Sequence, residues 1–460
     1  MYSRPNIVYY VMVFAGGILF SITFHLSYVW WLYPNFEYCG FKCQPDDWGY
    51  LSIALFVALA PLIWMPQEPA RPSQLIYWWL YVTTYVPSCF VPLYTLTDRR
   101  SEAIVLSLWM LLGFALIGVG YKLRLLRMSN GSLSRGVFWP ILWLLILMLH
   151  LWVLWVFRGN IRIVSFDKVY EEIRFSGGEL AVQSGMTYLI LWLSCALNPF
   201  VMSIGLCYRR PLMFAVGALG QVMLYGTYGL KTIVLSVIFI PAIFMLISWK
   251  GRMFGLKLVW GAVILFVLAG IYATIYPIRQ DGGVSMLPTL VFLRTFGIPG
   301  LLTSSYHDFF ANHPATYLSH VSGINLFIEY PYHYSIGVEV GRQMAWNSNA
   351  VMQDVMANAN AHMWATDGIA AFGDCGIPIV SMICIVVFLI IDSVSAKHDA
   401  GLCALIFAYT GLTLGNVSIF TSVFSGGVWL LLLILYLMPS TKLDGFRPQD
   451  QKKMSFKLWI

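Results

Sequence analysis

Charge is what this sequence lacks. Asp, Glu, Lys and Arg make up 11% of its 460 residues, against about 25% in an average soluble protein. A chain so poor in charge has no water-facing shell, which excludes a soluble enzyme, a disordered protein and a nucleic-acid-binding module. The net charge of +7 does not bring the last class back, because the basic residues are scattered among short connections. Adjacent acids are also scarce: Asp46-Asp47 and Glu171-Glu172 are the only pairs, and no His-Glu-x-x-His occurs. Eight cysteines are present. Cys39 and Cys43 stand four apart, where a disulfide and two free thiols are equally open readings. The other six fall in apolar stretches and read as small hydrophobes.

What is present is apolar and aromatic. Hydrophobic residues reach 59% and aromatics 16%, and the mean hydropathy is +0.73. Runs of about 18 to 25 apolar residues read as transmembrane helices. About twelve are expected by that rule, beginning near Ile7, Gly49, Leu75, Ala103, Phe138, Gly185, Pro211, Thr232, Leu258, Asp367, Gly401 and Ile419. The first is too long for a cleaved signal peptide and has no small-residue cleavage site after it. A cytoplasmic N-terminus places 17 of the 28 basic residues inside, among them Lys122 to Arg135, Lys397 and the tail from Lys442 to Lys457. That orientation, with both termini cytoplasmic, satisfies the positive-inside rule.

The chain then divides into four parts. Residues 1–276 form about nine spans with a smaller outer loop at 158–184. Residues 277–366 form a large outer loop, 367–438 the last three spans, and 439–460 a basic cytoplasmic tail. The large loop holds His307, His313, His320, His333 and His362, five of the eight histidines. A loop of that length carries structure or function, so chemistry is expected at the outer face, where no nucleoside triphosphate is at hand. Metal binding is the minority reading, because the histidine spacing fits no ligand motif and the loop has no paired acids. An anion there must be met by basic side chains. Arg294 lies in the apolar run Leu287 to Leu302, and a lone charge in such a place needs a partner. Arg279 sits at a span end, where phosphate binding and interfacial snorkelling are about even. Lys231 follows a Gly-rich break that can turn backbone N–H groups toward an anion. His307 and His362 are candidate bases, each with a structural role as the rival, and Asp367 is expected to cap the next span.

One set of motifs is more specific. Arg294-Thr295-Phe296-Gly297-Ile298-Pro299-Gly300 runs on to Tyr306 and to Asp308-Phe309-Phe310. Asn312 to His320, then Asn358-Ala359-Asn360, Trp364, Asp367-Gly368 and Phe372 to Gly376 follow. Together, over about a third of the chain, they resemble the O-antigen polymerase (Wzy) family, the oligosaccharide repeat unit polymerases. The resemblance implies an all-α polytopic membrane protein of about twelve spans with a large extracytoplasmic loop, GT-C-like and of polymerase-ligase type, in the inner membrane of a bacterium. It implies transfer of a growing glycan from undecaprenyl diphosphate to an incoming lipid-linked unit at the periplasmic face. Neither metal, nucleotide nor other cofactor is then required. The implied partners are the donor and acceptor lipids, a Wzz-type chain-length regulator, and the flippase and ligase of the same pathway. On that reading Arg294 and Arg279, with Lys231, Arg342 and Arg174, hold the diphosphate. His307 is the first candidate base and His362 the second, Asp308 orients the histidine, and Tyr306 and other loop aromatics meet sugar. The chain departs from the pattern in one respect: its large loop has only three arginines. An O-antigen ligase, or a flippase or other transporter, is the alternative.

Overall fold

Helices supply every regular element among the described residues of the computed structural model, which are 7–43, 47–129, 131–165, 168–248, 253–276, 285–347 and 358–441. In chain order they are α1 (Ile7–Cys39), α2 (Trp48–Ile63), α3 (72–95), α4 (Arg100–Gly120), α5 (Arg135–Phe157), α6 (Phe175–Gln183), α7 (Thr187–Cys207) and α8 (Pro211–Tyr228). Then follow α9 (Lys231–Ser248), α10 (Phe254–Ile275), α11 (Met286–Phe310), α12 (Ile336–Asn347), α13 (364–372), α14 (Gly376–Ser395), α15 (Ala400–Leu414) and α16 (Ile419–Leu437).

Among the described residues nine helices are long and apolar enough to cross a membrane: α1, α4, α5, α7, α9, α10, α11, α14 and α16. The α2 and α15 helices are apolar but shorter. The chain is thus an all-helical polytopic membrane protein, and several expected bounds move. Residues 286–310, read from sequence as outer loop, form the 25-residue apolar helix α11. Its Gly, Pro, Ser and Thr residues interrupt the hydrophobic run without ending the helix. The span expected at Asp367 begins at Gly376, and Asp367 lies inside the separate short helix α13. Cys375, read as part of an apolar span, is exposed in the turn between α13 and α14.

Prolines shape four of the long helices. A stretch of π-helix ends two residues before Pro34 in α1, Pro87 in α3, Pro199 in α7 and Pro299 in α11. A proline inside a helix has no N–H and its ring collides with the carbonyl four residues back. Widening the preceding turn relieves the clash and keeps the helix continuous. In α11 the widened stretch covers nine residues, Thr289–Gly297, and Thr295 Oγ1 donates to the Leu290 carbonyl five residues back.

Glycines let helices touch. A Cβ on Gly113 of α4 would come within 2.7 Å of Ser381 Oγ on α14, and one on Gly120 within 2.8 Å of Ile385. The same close approach joins α13 to α14, where a Cβ on Gly376 would stand 2.0 Å from the Gly368 carbonyl oxygen. Small residues at helix contacts are the usual way to pack helices in lipid, where apolar surface alone gives no drive to associate. The α14 helix also defines two ends of the molecule. Asp374 precedes its start on the end that carries residues 311–347 and 358–363, here the loop end. Asp392, near its close, accepts from the Ser73 N–H at 3.1 Å and the Ser73 hydroxyl at 2.8 Å and marks the opposite end.

Candidate functional site

Hydroxyl pairs fix α11 beside α3. Ser88 and Thr303 meet at 2.7 Å, and Thr95 Oγ1 donates to Ser304 Oγ at 2.9 Å. The two helices therefore run in the same direction, and the last turn of α11 arrives beside the start of α4. Asp308 pairs there with Arg99, which also lies 3.4 Å from Glu102. His307 Nδ1 lies 2.8 Å from Asp374 Oδ1, and its Nε2 lies 3.4 Å from Glu102 Oε2. Glu102 stands in the first turn of α4, where a carboxylate suits the helix dipole. Asp374 is delivered by the turn at Gly373, whose φ of +68° is cheap only for glycine.

This arrangement can handle a proton. Asp374 accepts from the Nδ1–H and orients the ring, and the contact between Nε2 and the Glu102 carboxyl needs a proton between them, carried by the ring or by the glutamate. The His307 side chain is 11% exposed and that of Glu102 46%, so the site opens on the glutamate side. The expectation that Asp308 orients His307 is corrected: neighbours on a helix point about 100° apart, and Asp308 turns to Arg99 while Asp374 and Glu102 hold the ring. Arg99, Glu102 and Asp374 were not singled out from sequence. Asp374 sat inside a quoted motif, and Arg99 and Glu102 share one short polar connection between two spans.

The other candidate residues lie elsewhere. His362 is fully buried. Its Nδ1 receives the Ala365 N–H at 3.4 Å, so Nε2 carries the proton and meets Thr303 Oγ1 at 2.8 Å. Burial pushes its pKa down to about 4, and the neutral ring ties the returning segment before α13 to α11. Tyr306 is buried, and its hydroxyl donates to the Ala359 carbonyl at 3.0 Å, so it joins the same segments and faces no open space. Asp367 was expected to cap the span that follows it. It instead receives the Ser418 hydroxyl and the Ile419 N–H, both at 2.6 Å, at the start of α16, and it lies 3.1 Å from His320 Nε2.

The basic residues fall into separate places. Arg294 is exposed on the π-helical stretch of α11, and its charge acts on Tyr38 and Cys39 at the end of α1. It stands thirteen residues before His307 on one helical run, about 20 Å at 1.5 Å per residue. Arg174 meets the turn that precedes Lys231. The Arg174 guanidinium lies 4.6 Å from the centre of the Tyr228 ring and donates to the Tyr228 carbonyl at 3.2 Å. Lys231 opens α9 two residues after Gly229, whose φ of +70° ends α8 and whose Cβ would stand 3.1 Å from the Arg174 backbone. Arg342 is exposed and lies over the Tyr334 ring at 4.6 Å. Arg279 lies outside the described residues. Among the described residues no group of three His, Cys, Asp or Glu side chains is arranged to hold a metal ion. No family model, no curated protein and no solved structure matches this chain.

Proposed function

We propose that this chain is a membrane glycosyltransferase of O-antigen polymerase type, with His307 as the base. The observation that carries the reading is the grip of two carboxylates, Asp374 and Glu102, on one histidine at the loop end. The sequence resemblance supplies the substrate class. An acceptor sugar hydroxyl that displaces Glu102 from Nε2 would pass its proton to His307 as its oxygen attacks the anomeric carbon of the donor. The new glycosidic bond forms, the bond to the diphosphate breaks, and undecaprenyl diphosphate leaves with the electron pair. Positioned acid–base help of this kind contributes typically 10²- to 10⁴-fold. Reacting atoms must approach to about 3–3.5 Å, so an anion held at Arg294 would sit too far away to react at His307. Arg99 is the cation beside the histidine and joins Arg294, Arg279, Arg342, Arg174 and Lys231 as a diphosphate candidate.

A transporter for the same lipid is the second reading. The break between α15 and α16, held by buried Asp367, favours it, since discontinuous helices and buried ionisable groups are how transporters build a substrate path. Complementation separates the readings. In a strain lacking its own polymerase, wild-type protein should restore a polysaccharide ladder, and His307→Ala or Asp374→Asn should leave single-repeat lipopolysaccharide. A full ladder from His307→Ala would sink the assignment of the base. Rescue of a flippase-deficient strain instead would favour transport.

A further inference from the structure

Residues 321–328 make a short turn at the loop end, with the sequence Val-Ser-Gly-Ile-Asn-Leu-Phe-Ile. Its second half turns large apolar side chains outward: Leu326 is 82% exposed, Phe327 89% and Ile328 38%. Three such neighbours facing water are costly, and a patch of this kind marks a contact surface. The turn is built to present them. Gly323 takes a φ of +99°, open to glycine, and its N–H donates to Asn325 Oδ1 at 3.0 Å. The Phe327 N–H donates to the Ile324 carbonyl at 2.9 Å, and the Ile328 N–H reaches the same oxygen at 3.1 Å.

Both flanks of the turn are tied to the ends of helices long enough to cross a membrane. Before it, His320 Nε2 lies 3.1 Å from Asp367 Oδ1, and Asp367 receives the Ile419 N–H that opens α16. The 19 residues of α16 are about 28 Å long, close to the ~30 Å of the hydrocarbon core. The start of α16 therefore stands near the edge of that core. After the turn, the Tyr332 ring lies 5.8 Å from the ring of Phe309 and 6.2 Å from that of Phe310, in the last turn of α11. Phe327 precedes Tyr332 by five residues, so even an extended chain keeps it within about 17 Å of that helix end. Tyr330, Tyr332 and Tyr334 follow, and rings with one polar end are the side chains of a membrane–water interface. Between Arg294 and Arg342 the sequence has no Lys or Arg, so this stretch brings no such cation to an acidic protein or an anionic headgroup.

We propose that Leu326, Phe327 and Ile328 insert among the acyl chains of the leaflet at the loop end, as an apolar wedge that ties the loop to the membrane surface. Neutral lipid suffices as the occupant, because the wedge is apolar and its flanks are tied to span ends. The assignment does not depend on the reaction proposed for His307.

Full-length protein in phosphatidylcholine nanodiscs tests this, with trifluoromethyl-phenylalanine in place of Phe327. Its fluorine resonance should be broadened by phosphatidylcholine that carries a nitroxide near the head of an acyl chain, and little affected by a water-soluble gadolinium chelate. Leu326→Glu puts a charge at the tip and should cut the lipid-borne broadening about threefold or more while raising that from the chelate. Both positions are exposed, so these proteins should unfold at the wild-type temperature. Broadening by the chelate alone would place the tip in water and overturn the proposal. Protection from both reagents would mean that protein covers the tip, from this chain or another, and would equally overturn it. Lipid-borne broadening left unchanged by Leu326→Glu would show that the apolar side chains do not hold the tip in lipid, and would overturn it too.

Discussion

His307 stands on α11 and His362 packs against that helix from another segment, and the two differ in surroundings. His307 touches two carboxylates and lies beside the open loop end. His362 touches a threonine hydroxyl and a carbonyl and has no exposed surface. The second contact set makes a pH prediction. Burial holds the His362 pKa at about 4, against 6.5 for the free side chain. The unfolded chain therefore takes up the proton first as pH falls. The contribution of the buried neutral ring is complete above about pH 6.5 and is lost progressively toward pH 4, on the order of 3 kcal/mol. Melting temperature measured between pH 7 and pH 4 should fall less steeply in His362→Asn than in wild type. Equal slopes would show that His362 is not the group that titrates.

At the scale of elements, the backbone contact between Gly368 and Gly376 sets where Asp374 points. A side chain at Gly376 must push against the Gly368 carbonyl, and such overpacking costs about 1–3 kcal/mol. Gly376→Val should lower Tm and also abolish activity with Asp374 intact. Gly261→Ala, at a position with open space around its Cβ, should change neither. Much of this level was legible in the sequence. Hydrophobic runs marked most of the spans, and the break at Gly415-Asn416 falls between α15 and α16. The α11 helix was not legible, because Gly297, Pro299, Gly300 and the hydroxyls after them look like loop punctuation. Their packing against α3 makes them helical. The site was half legible. His307 stands out as a titratable residue in a polar segment, but its partners are 67 and 205 residues away, and only the fold brings them to it. Asp308 was the natural partner by sequence proximity, and helix geometry sends it elsewhere.

At the scale of the whole molecule, scarce charge is concentrated at two ends. The loop end gathers Arg99, Glu102, His307, Asp308 and Asp374 into contact and Arg174 with the turn before Lys231 at a second place. The opposite end holds Arg135, Lys397 and the Asp392–Ser73 contact. The decisive measurement is polymer formation by purified protein in liposomes, given a single undecaprenyl-diphosphate-linked repeat unit and a chelator. Wild-type protein should lengthen the glycan and release undecaprenyl diphosphate, and His307→Ala should slow both by about 10²-fold or more. Movement of the lipid across the bilayer without any lengthening, or equal lengthening by His307→Ala, would contradict the proposed function.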